Sequence, residues 1–391
     1  MSKIVFFCIP AAGHINPTLG VVSELVRRGH EVWYYSYSLF RQKIEDCGAH
    51  FVACDDYDQE KRLSPEDSRR IGDDLAFSTK ILVDTTLALD EPVCSHMKQL
   101  QPDCIVADSM AVWGKAVAMK LHIPFVSSTT TFAFNRYSAK IMKQSLGKAL
   151  KMLLSMGKIK KDLARLTERG YPIHNILDIL QNDNATDTVV YTSSDFQPCA
   201  DTFSSHYSFV GPSIRPIETT FQKTGKTLAY ISMGTVVNDD AAFYHRCIQA
   251  LADAPCQVVL SVGNQVSLEQ FRQLPANIEV HPFVDQMAVL EKADVFLSHC
   301  GMNSVNESLW FGVPLVSFPQ TTEQGGVAAR AEELGAALRL RNSSPKAIRQ
   351  AVDQVLSDPS YRQSAQKISE GFHACTGAKG AADKILSLCR N

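Results

Sequence analysis

A chain of 391 residues is too long for one ordinary core and fits two domains. Its composition, 45% hydrophobic and 20% charged with a net charge of -2, is globular, and no arginine or lysine stripe offers a nucleic acid its electrostatic footprint. The 11 cysteines are odd in number and show no CxxC spacing; Cys8 and Cys104 interrupt apolar runs, where a free thiol packs as a small hydrophobe, as in a reducing cytoplasm.

The opening MSKIVFFCIPAAG has the lysine, apolar run and small residues of a secretion signal. Its apolar run, Ile4 to Ile9, stops at Pro10, and it reads as a first strand over Lys3 to Ile9. No uninterrupted apolar stretch approaches the roughly 20 residues a bilayer needs, so no integral membrane association is expected. A helix is predicted next, with Asn16 as N-cap, Pro17 at the first helical position and Gly29 as the stop. Glu31 to Ser36 is a second strand, and the alternation recurs at Asp103 to Ala107, Lys115 to Leu121 and Pro124 to Ser128. Strands buried on both faces and alternating with amphipathic helices define an α/β fold with a parallel sheet.

Residues 147–170 read as a basic helix, with Leu150, Leu153, Leu163 and Leu166 for an apolar face and the lysines for a solvated one. Proline and glycine gather around Val210 to Pro216, the predicted domain boundary. Strands resume at Thr227 to Ser232, Gln257 to Val262, Val295 to Ser298 and Leu315 to Phe318, and the last 30 or so residues read as two short helices broken at Thr376-Gly377. The expected domains are 1–215 and 216–375, with 376–391 a helix returning to the first.

Ligands of open parallel sheets bind beyond the carboxyl ends of strands. GHINP lies there after the first strand, with Ala11, Ala12 and Gly13 turning the chain so that His14 opens a helix. The positive helix end disfavours imidazolium and suits a neutral, basic ring. Asp108 follows the strand DCIVA on the same sheet edge, where it could orient the ring and stabilise its charged form. The same two residues also fit a structural account, in which His14 opens one helix and Asp108 the next.

HCGMNSVNE (299–307) follows the strand DVFLS and opens a helix whose first amides suit a diphosphate: Gly301 permits close approach, Asn303 and Ser304 lie in the first turn, and His299 adds a ring N–H. Glu307, one turn beyond Asn303, suits a vicinal diol. A well-capped structural helix is the alternative. Gly234 and Thr235 end another strand with a glycine turn and a hydroxyl, and Glu323 and Gln324 follow FPQTT with an acid and an amide for sugar hydroxyls. TTTFAFNRY (129–137) offers Phe132 and Phe134 either to an acceptor pocket or to the core. Neither GxGxxG nor GxxxxGK[ST] stands at a strand–helix junction, and no HExxH, strand-flanked DxD or Cys/His ligand set is present, so no metal is expected.

Taken whole, residues 283–324 resemble the donor-binding signature of the UDP-glycosyltransferase superfamily, and GHINP resembles its bacterial macrolide-glycosyltransferase branch. The resemblance implies a GT-B fold: two Rossmann-like domains facing each other across a cleft, the first binding the acceptor and the second the nucleotide sugar. It implies His14 as catalytic base with Asp108 as partner, Phe283 and Gln286 on the uridine, His299, Gly301, Asn303 and Ser304 on the diphosphate, Glu307 on the ribose, and Glu323 and Gln324 on the sugar. Phe283 and Met302 stand where plant members carry tryptophan. The implied reaction is an inverting, metal-independent transfer of a hexose, glucose first, from a UDP-sugar co-substrate to a small hydrophobic acceptor, with no cofactor required. A UDP-sugar epimerase on the same fold and a non-catalytic nucleotide-sugar-binding partner protein are the competing readings.

Overall fold

The computed structural model describes residues 1–55, 74–135, 137–138, 146–173, 175, 184–234 and 240–389. Their contacts divide the chain into two units: Met1–Tyr191 with Cys199–Ser213 and Thr376–Asn391, and Thr192–Pro198 with Ile214–Cys375.

The first unit runs β1 (Lys3–Phe7), α1 (Ala12–Arg27), β2 (Glu31–Ser36), α2 (Arg41–Glu45), β3 (His50–Ala53), α3 (Leu75–Leu100), β4 (Cys104–Asp108), α4 (Val112–Leu121), β5 (Phe125–Thr129), α5 (Leu146–Glu168), β6 (Thr188–Val190) and β7 (Tyr207–Phe209). The strands form one parallel sheet in the order β3-β2-β1-β4-β5-β6-β7. Strand β1 is apolar from Ile4 to Phe7 because both faces are covered there. Val5 and Phe7 point into a core shared with Ile105, Trp113 and Val117, whereas Ile4 and Phe6 point into another with Ile15, Val22 and Leu25.

The helix after β1 starts at Ala12, earlier than its proline suggests. Pro17 lies inside it, and Ala11 precedes it in extended conformation. Pro17 removes only the bond that the Gly13 carbonyl would accept, one residue pair beyond the turn where such a loss costs nothing, and burial of Ile15, Val21, Val22 and Leu25 carries the helix across it. In α5, Ile159, Leu163 and Leu166 are buried while Lys158, Lys160 and Lys161 face water. The side chains of Leu150 and Leu153 lie outside the described residues.

The second unit contains β8 (Leu228–Ser232), α6 (Ala241–Leu251), β9 (Gln257–Ser261), β10 (Ile278–His281), α7 (Gln286–Leu290), β11 (Val295–Ser298), α8 (Met302–Trp310), β12 (Leu315–Ser317), α9 (Thr322–Glu333), β13 (Ala337–Arg339), α10 (Pro345–Ser357) and α11 (Pro359–His373). A second parallel sheet results, ordered β10-β9-β8-β11-β12-β13. The segment Thr192–Pro198 belongs to this unit: Phe196 meets Phe372 edge-on at 5.7 Å, and Arg330 donates to the carbonyls of Phe196 and Asp195 at 3.0 and 2.7 Å. The chain thus enters the second unit before the proline-rich stretch, and returns to the first between. The last helix, α12 (Gly377–Leu386), lies on the first unit, with Ala381, Ala382 and Ile385 in the core of α1 and Arg28 paired to Asp383 at 2.5 Å. Among the described residues, no helix is long and apolar enough to cross a membrane.

Candidate active site

In each sheet the strand order reverses once. In the first this happens between β1 and β4, which lead outward in opposite directions, and in the second between β8 and β11. At such a switch point the connections part and leave a crevice beyond the carboxyl ends of the two strands. His14 follows β1 and Asp108 ends β4. Gly234 follows β8, and His299 to Gly301 follow β11.

At the first switch point His14 stands in the opening turn of α1, its N–H bonded to the Ala11 carbonyl at 2.9 Å. Its Nδ1 lies 2.7 Å from Asp108 Oδ2, and the imidazole is 20% exposed against a fully buried carboxylate. The other oxygen, Oδ1, accepts the Met110 N–H at 2.8 Å, so each carboxylate oxygen has a partner and the group cannot swing. A carboxylate only accepts, hence Nδ1 carries the proton and the ring's Nε2 carries the lone pair. Thr130 Oγ1 lies 3.0 Å from the same Nδ1. Sequence reasoning overlooked this residue, although β5 adjoins β4 and the position just past its end shares the edge. Phe132 is buried, whereas Phe134 is 36% exposed.

At the second switch point His299 is wedged between two glycines. A Cβ on Gly234 would lie 2.5 Å from its Cε1, and one on Gly301 would lie 2.7 Å from its Nε2. Burial drives its pKa down to about 4, against a partial opposing pull from the Ser232 carbonyl, so the ring is neutral at neutral pH. Among the described residues its Nδ1 is buried with no hydrogen-bond partner. An orphaned buried nitrogen costs about 1–3 kcal/mol, a cost that a hydrogen-bonding group brought to it would remove. Cys300 turns the chain at φ +64, an unusual conformation for a residue with a side chain. Gly301 then caps α8 with no side-chain hydrogen bond, and Asn303 and Ser304 follow, half-buried, in the first turn. The other described helices of this unit are each capped by a side chain, from Asp240, Asp285, Thr321, Ser344 and Asp358. Helix α8 presents backbone donors and its positive end instead.

Deeper along α8, Glu307 is buried, and burial raises its pKa. Its Oε2 accepts from Gln286 Nε2 at 2.5 Å, while Gln286 Oε1 accepts the Tyr230 hydroxyl at 3.2 Å. Both polar ends of Gln286 therefore serve to hold Glu307. Arg215, absent from the sequence reading, reaches Glu307 Oε1 at 4.0 Å. Phe283 is 56% exposed, with its ring open to stacking. Glu323 is exposed in the first turn of α9. Gln324 has a structural duty: with Thr321 it forms a capping box, its Oε1 accepting the N–H groups of Gln320 and Thr321 at 2.8 and 3.2 Å. Thr321→Ala is expected to lower stability by about 0.5–2 kcal/mol in urea denaturation. An unchanged midpoint would show that the box contributes nothing. Thr235 lies outside the described residues.

Two parallel α/β sheets with separate polar sites at their switch points are the architecture of the GT-B fold, which the solved structure named below shares. Residues 228–385 match the family model described as erythromycin biosynthesis protein CIII-like, C-terminal domain. The chain is 31% identical to an uncharacterized UDP-glucosyltransferase, YojK, of Bacillus subtilis strain 168, over 100% of this chain and 98% of that one. It is 33% identical to the NDP-glycosyltransferase YjiC of Bacillus licheniformis, over 98% of this chain and 96% of that one. Among solved structures, the glycotransferase of kitacinnamycin superposes with a TM-score of 0.86 at 25% identity, covering 100% of this chain and 99% of its own. The chain belongs to the UDP-glycosyltransferase superfamily, in its bacterial macrolide-glycosyltransferase-like branch, and is a UDP-dependent glycosyltransferase.

Proposed function

We propose that the enzyme transfers a hexose, glucose first, from UDP to a hydroxyl of a small hydrophobic acceptor such as a macrolide, a flavonoid or another phenolic, inverting the anomeric centre. The first unit supplies the base and receives the acceptor; the second holds the nucleotide sugar. The observation that carries this reading is the 2.7 Å contact between His14 Nδ1 and Asp108 Oδ2 at a switch point, because a ring nitrogen held by a buried carboxylate is the arrangement that supports proton transfer at the other.

In the proposed step the acceptor O–H gives its proton to His14 Nε2 as its oxygen bonds to the sugar C1. The bond from C1 to the phosphate oxygen breaks on the opposite face, and the departing pair leaves with UDP. Asp108 balances the imidazolium. The start of α8, with His299, Gly301, Asn303 and Ser304, stabilises the charge gathering on the diphosphate, a preorganised role worth about 10² to 10³ in rate per donor in comparable sites. Phe283 stacks on the base, Glu307 accepts the ribose hydroxyls, with Gln286 holding it, and Glu323 and Gln324 serve the sugar. Because Oε1 of Gln324 already accepts two backbone N–H groups, the proposed sugar contact uses its amide NH2. UDP-glucose as donor is supported by the name of YojK, and acceptors of the natural-product kind by the kitacinnamycin enzyme.

The test is to incubate the purified chain with UDP-glucose and a panel of macrolides, flavonoids and other phenols, with mass-spectrometric detection of hexose adducts. At least one adduct should form, and its anomeric linkage, read by NMR, should be opposite to that of the donor. A retained configuration would sink the single-displacement mechanism. Isomerised UDP-sugar without any adduct would favour an epimerase instead.

A further inference from the structure

Glu307 is a carboxylate in an expensive place. It is buried on α8, its Oε2 takes one neutral hydrogen bond from Gln286, and its Oε1 faces a guanidinium at 4.0 Å. Arg215 is the cation within ion-pairing reach of this group among the described residues, and it comes from the proline-flanked segment before β8 rather than from any of the motifs. Its side chain is 37% exposed, yet its Nε is buried and makes no hydrogen bond among the described residues. Among the described residues, the partner the structure gives this guanidinium is Glu307. At 4.0 Å the pair is too long for a tight bidentate fork, which leaves Oε1 with room to accept other donors.

We propose that Arg215 is a positioning residue for the donor: its charge keeps the Glu307 carboxylate ionised and its Oε1 directed at the vicinal hydroxyls of a ribose, and so sets the pH range over which the nucleotide sugar binds. This rests on the reading of Glu307 as the ribose acceptor given above.

Burial raises the Glu307 carboxyl above the ordinary range, Gln286 and Arg215 pull it back, and the charge of Asp285 pushes it up again. The other titratable groups facing it do not change state near neutrality. Asp285, against its own partial burial, is held below the usual carboxylate range by the N–H groups of Thr219 and Glu218, and burial pushes the Tyr230 phenol well up. The sign follows. A carboxyl raised by burial loses its charge as pH falls, and a protonated Glu307 accepts fewer hydroxyl donors. Without Arg215 that loss begins at higher pH.

The experiment is the dissociation constant of UDP-glucose, by calorimetry on the full chain between about pH 6 and about pH 9, for wild type, Arg215→Met, Arg215→Gln, Arg215→Lys and Glu307→Gln. Arg215→Met and Arg215→Gln should bind about tenfold more weakly than wild type near pH 6 and within about twofold of it near pH 9. Arg215→Lys keeps the charge and should follow the wild-type profile. Glu307→Gln should bind weakly at every pH. Equal weakening of the neutral Arg215 variants across the whole range would overturn the proposal, because a packing role or a direct donor contact has no such pH dependence. Wild-type profiles in both neutral variants would overturn it too, while weak binding by Glu307→Gln would leave the ribose reading standing. Wild-type affinity in Glu307→Gln would remove the ribose reading and this inference together. Two neutral variants guard against one that fails to fold.

Discussion

His14→Ala is expected to slow transfer by about 10² to 10⁴ while leaving UDP-glucose binding within about twofold of wild type, the range general-base assistance contributes in other enzymes. The separation of the two readouts is the informative part. His14 belongs to the first unit and the residues proposed to bind the diphosphate to the second, so on this reading the variant loses the proton acceptor and keeps every residue proposed to hold the donor. Asp108→Asn should cost less than the full loss but still lower kcat. An amide can offer its NH2 to Nδ1, which reverses the hydrogen bond, places the proton on Nε2 and spoils it as a base. The Met110 N–H can remain bonded to the amide oxygen, which argues for a folded protein with the wrong tautomer. Retention of more than about a tenth of the wild-type rate in His14→Ala, with the protein folded, would contradict the assignment of this base. An Asp108→Asn enzyme with an unchanged kcat would remove the carboxylate from it.

The parallel sheets were legible because burial on both faces writes itself as unbroken apolar runs. Ile4 to Phe7 alternate between two cores, and the predicted bounds of Glu31–Ser36 and Val295–Ser298 coincide with the strands. Strands that lack this signature were missed. His50–Ala53 sits at a sheet edge with its first residue exposed, and Thr188–Val190, Tyr207–Phe209 and Ala337–Arg339 are three residues each, too short for any period to register. The start of α1 was misplaced because Asn16-Pro17 is a strong local signal that tertiary burial overrides. At the site, sequence gave a direction for His14 and Asp108, since both follow strands of one parallel sheet, but no distance. Thr130 and Arg215 were invisible for a different reason. Each reaches its partner from a separate connection, Thr130 across 116 positions to His14, and no motif marks such an approach. Gln324 is the opposite case: the pattern Thr321-x-x-Gln324 spells a capping box in the sequence itself, a structural duty beside the proposed sugar contact.

Gly234→Ala is expected to weaken UDP-glucose binding by at least about tenfold and to lower stability by about 1–3 kcal/mol. Two costs combine. Gly234 has φ +78, where a side chain is strained, and the added methyl carbon would lie 2.5 Å from His299 Cε1 and 2.7 Å from its Nε2. A Cβ at Gly301 would likewise lie 2.7 Å from Nε2, so the backbone on that side also passes close to the imidazole. Either the ring leaves its slot or the turn after β8 opens, and both displace groups proposed to hold the diphosphate. The double variant Gly234→Ala/His299→Ala separates the terms. Removing the imidazole removes the clash, so the pair should regain the part of the stability lost to contact while keeping the backbone strain, a coupling of about 0.5–3 kcal/mol in a double-mutant cycle. Donor affinity should not return, since the ring itself is gone. Thermal unfolding and UDP-glucose calorimetry on the four proteins measure both quantities. Additive stability effects would show that the ring yields freely and that the glycines do not fix it, and wild-type donor affinity in Gly234→Ala would exclude this slot from the diphosphate site.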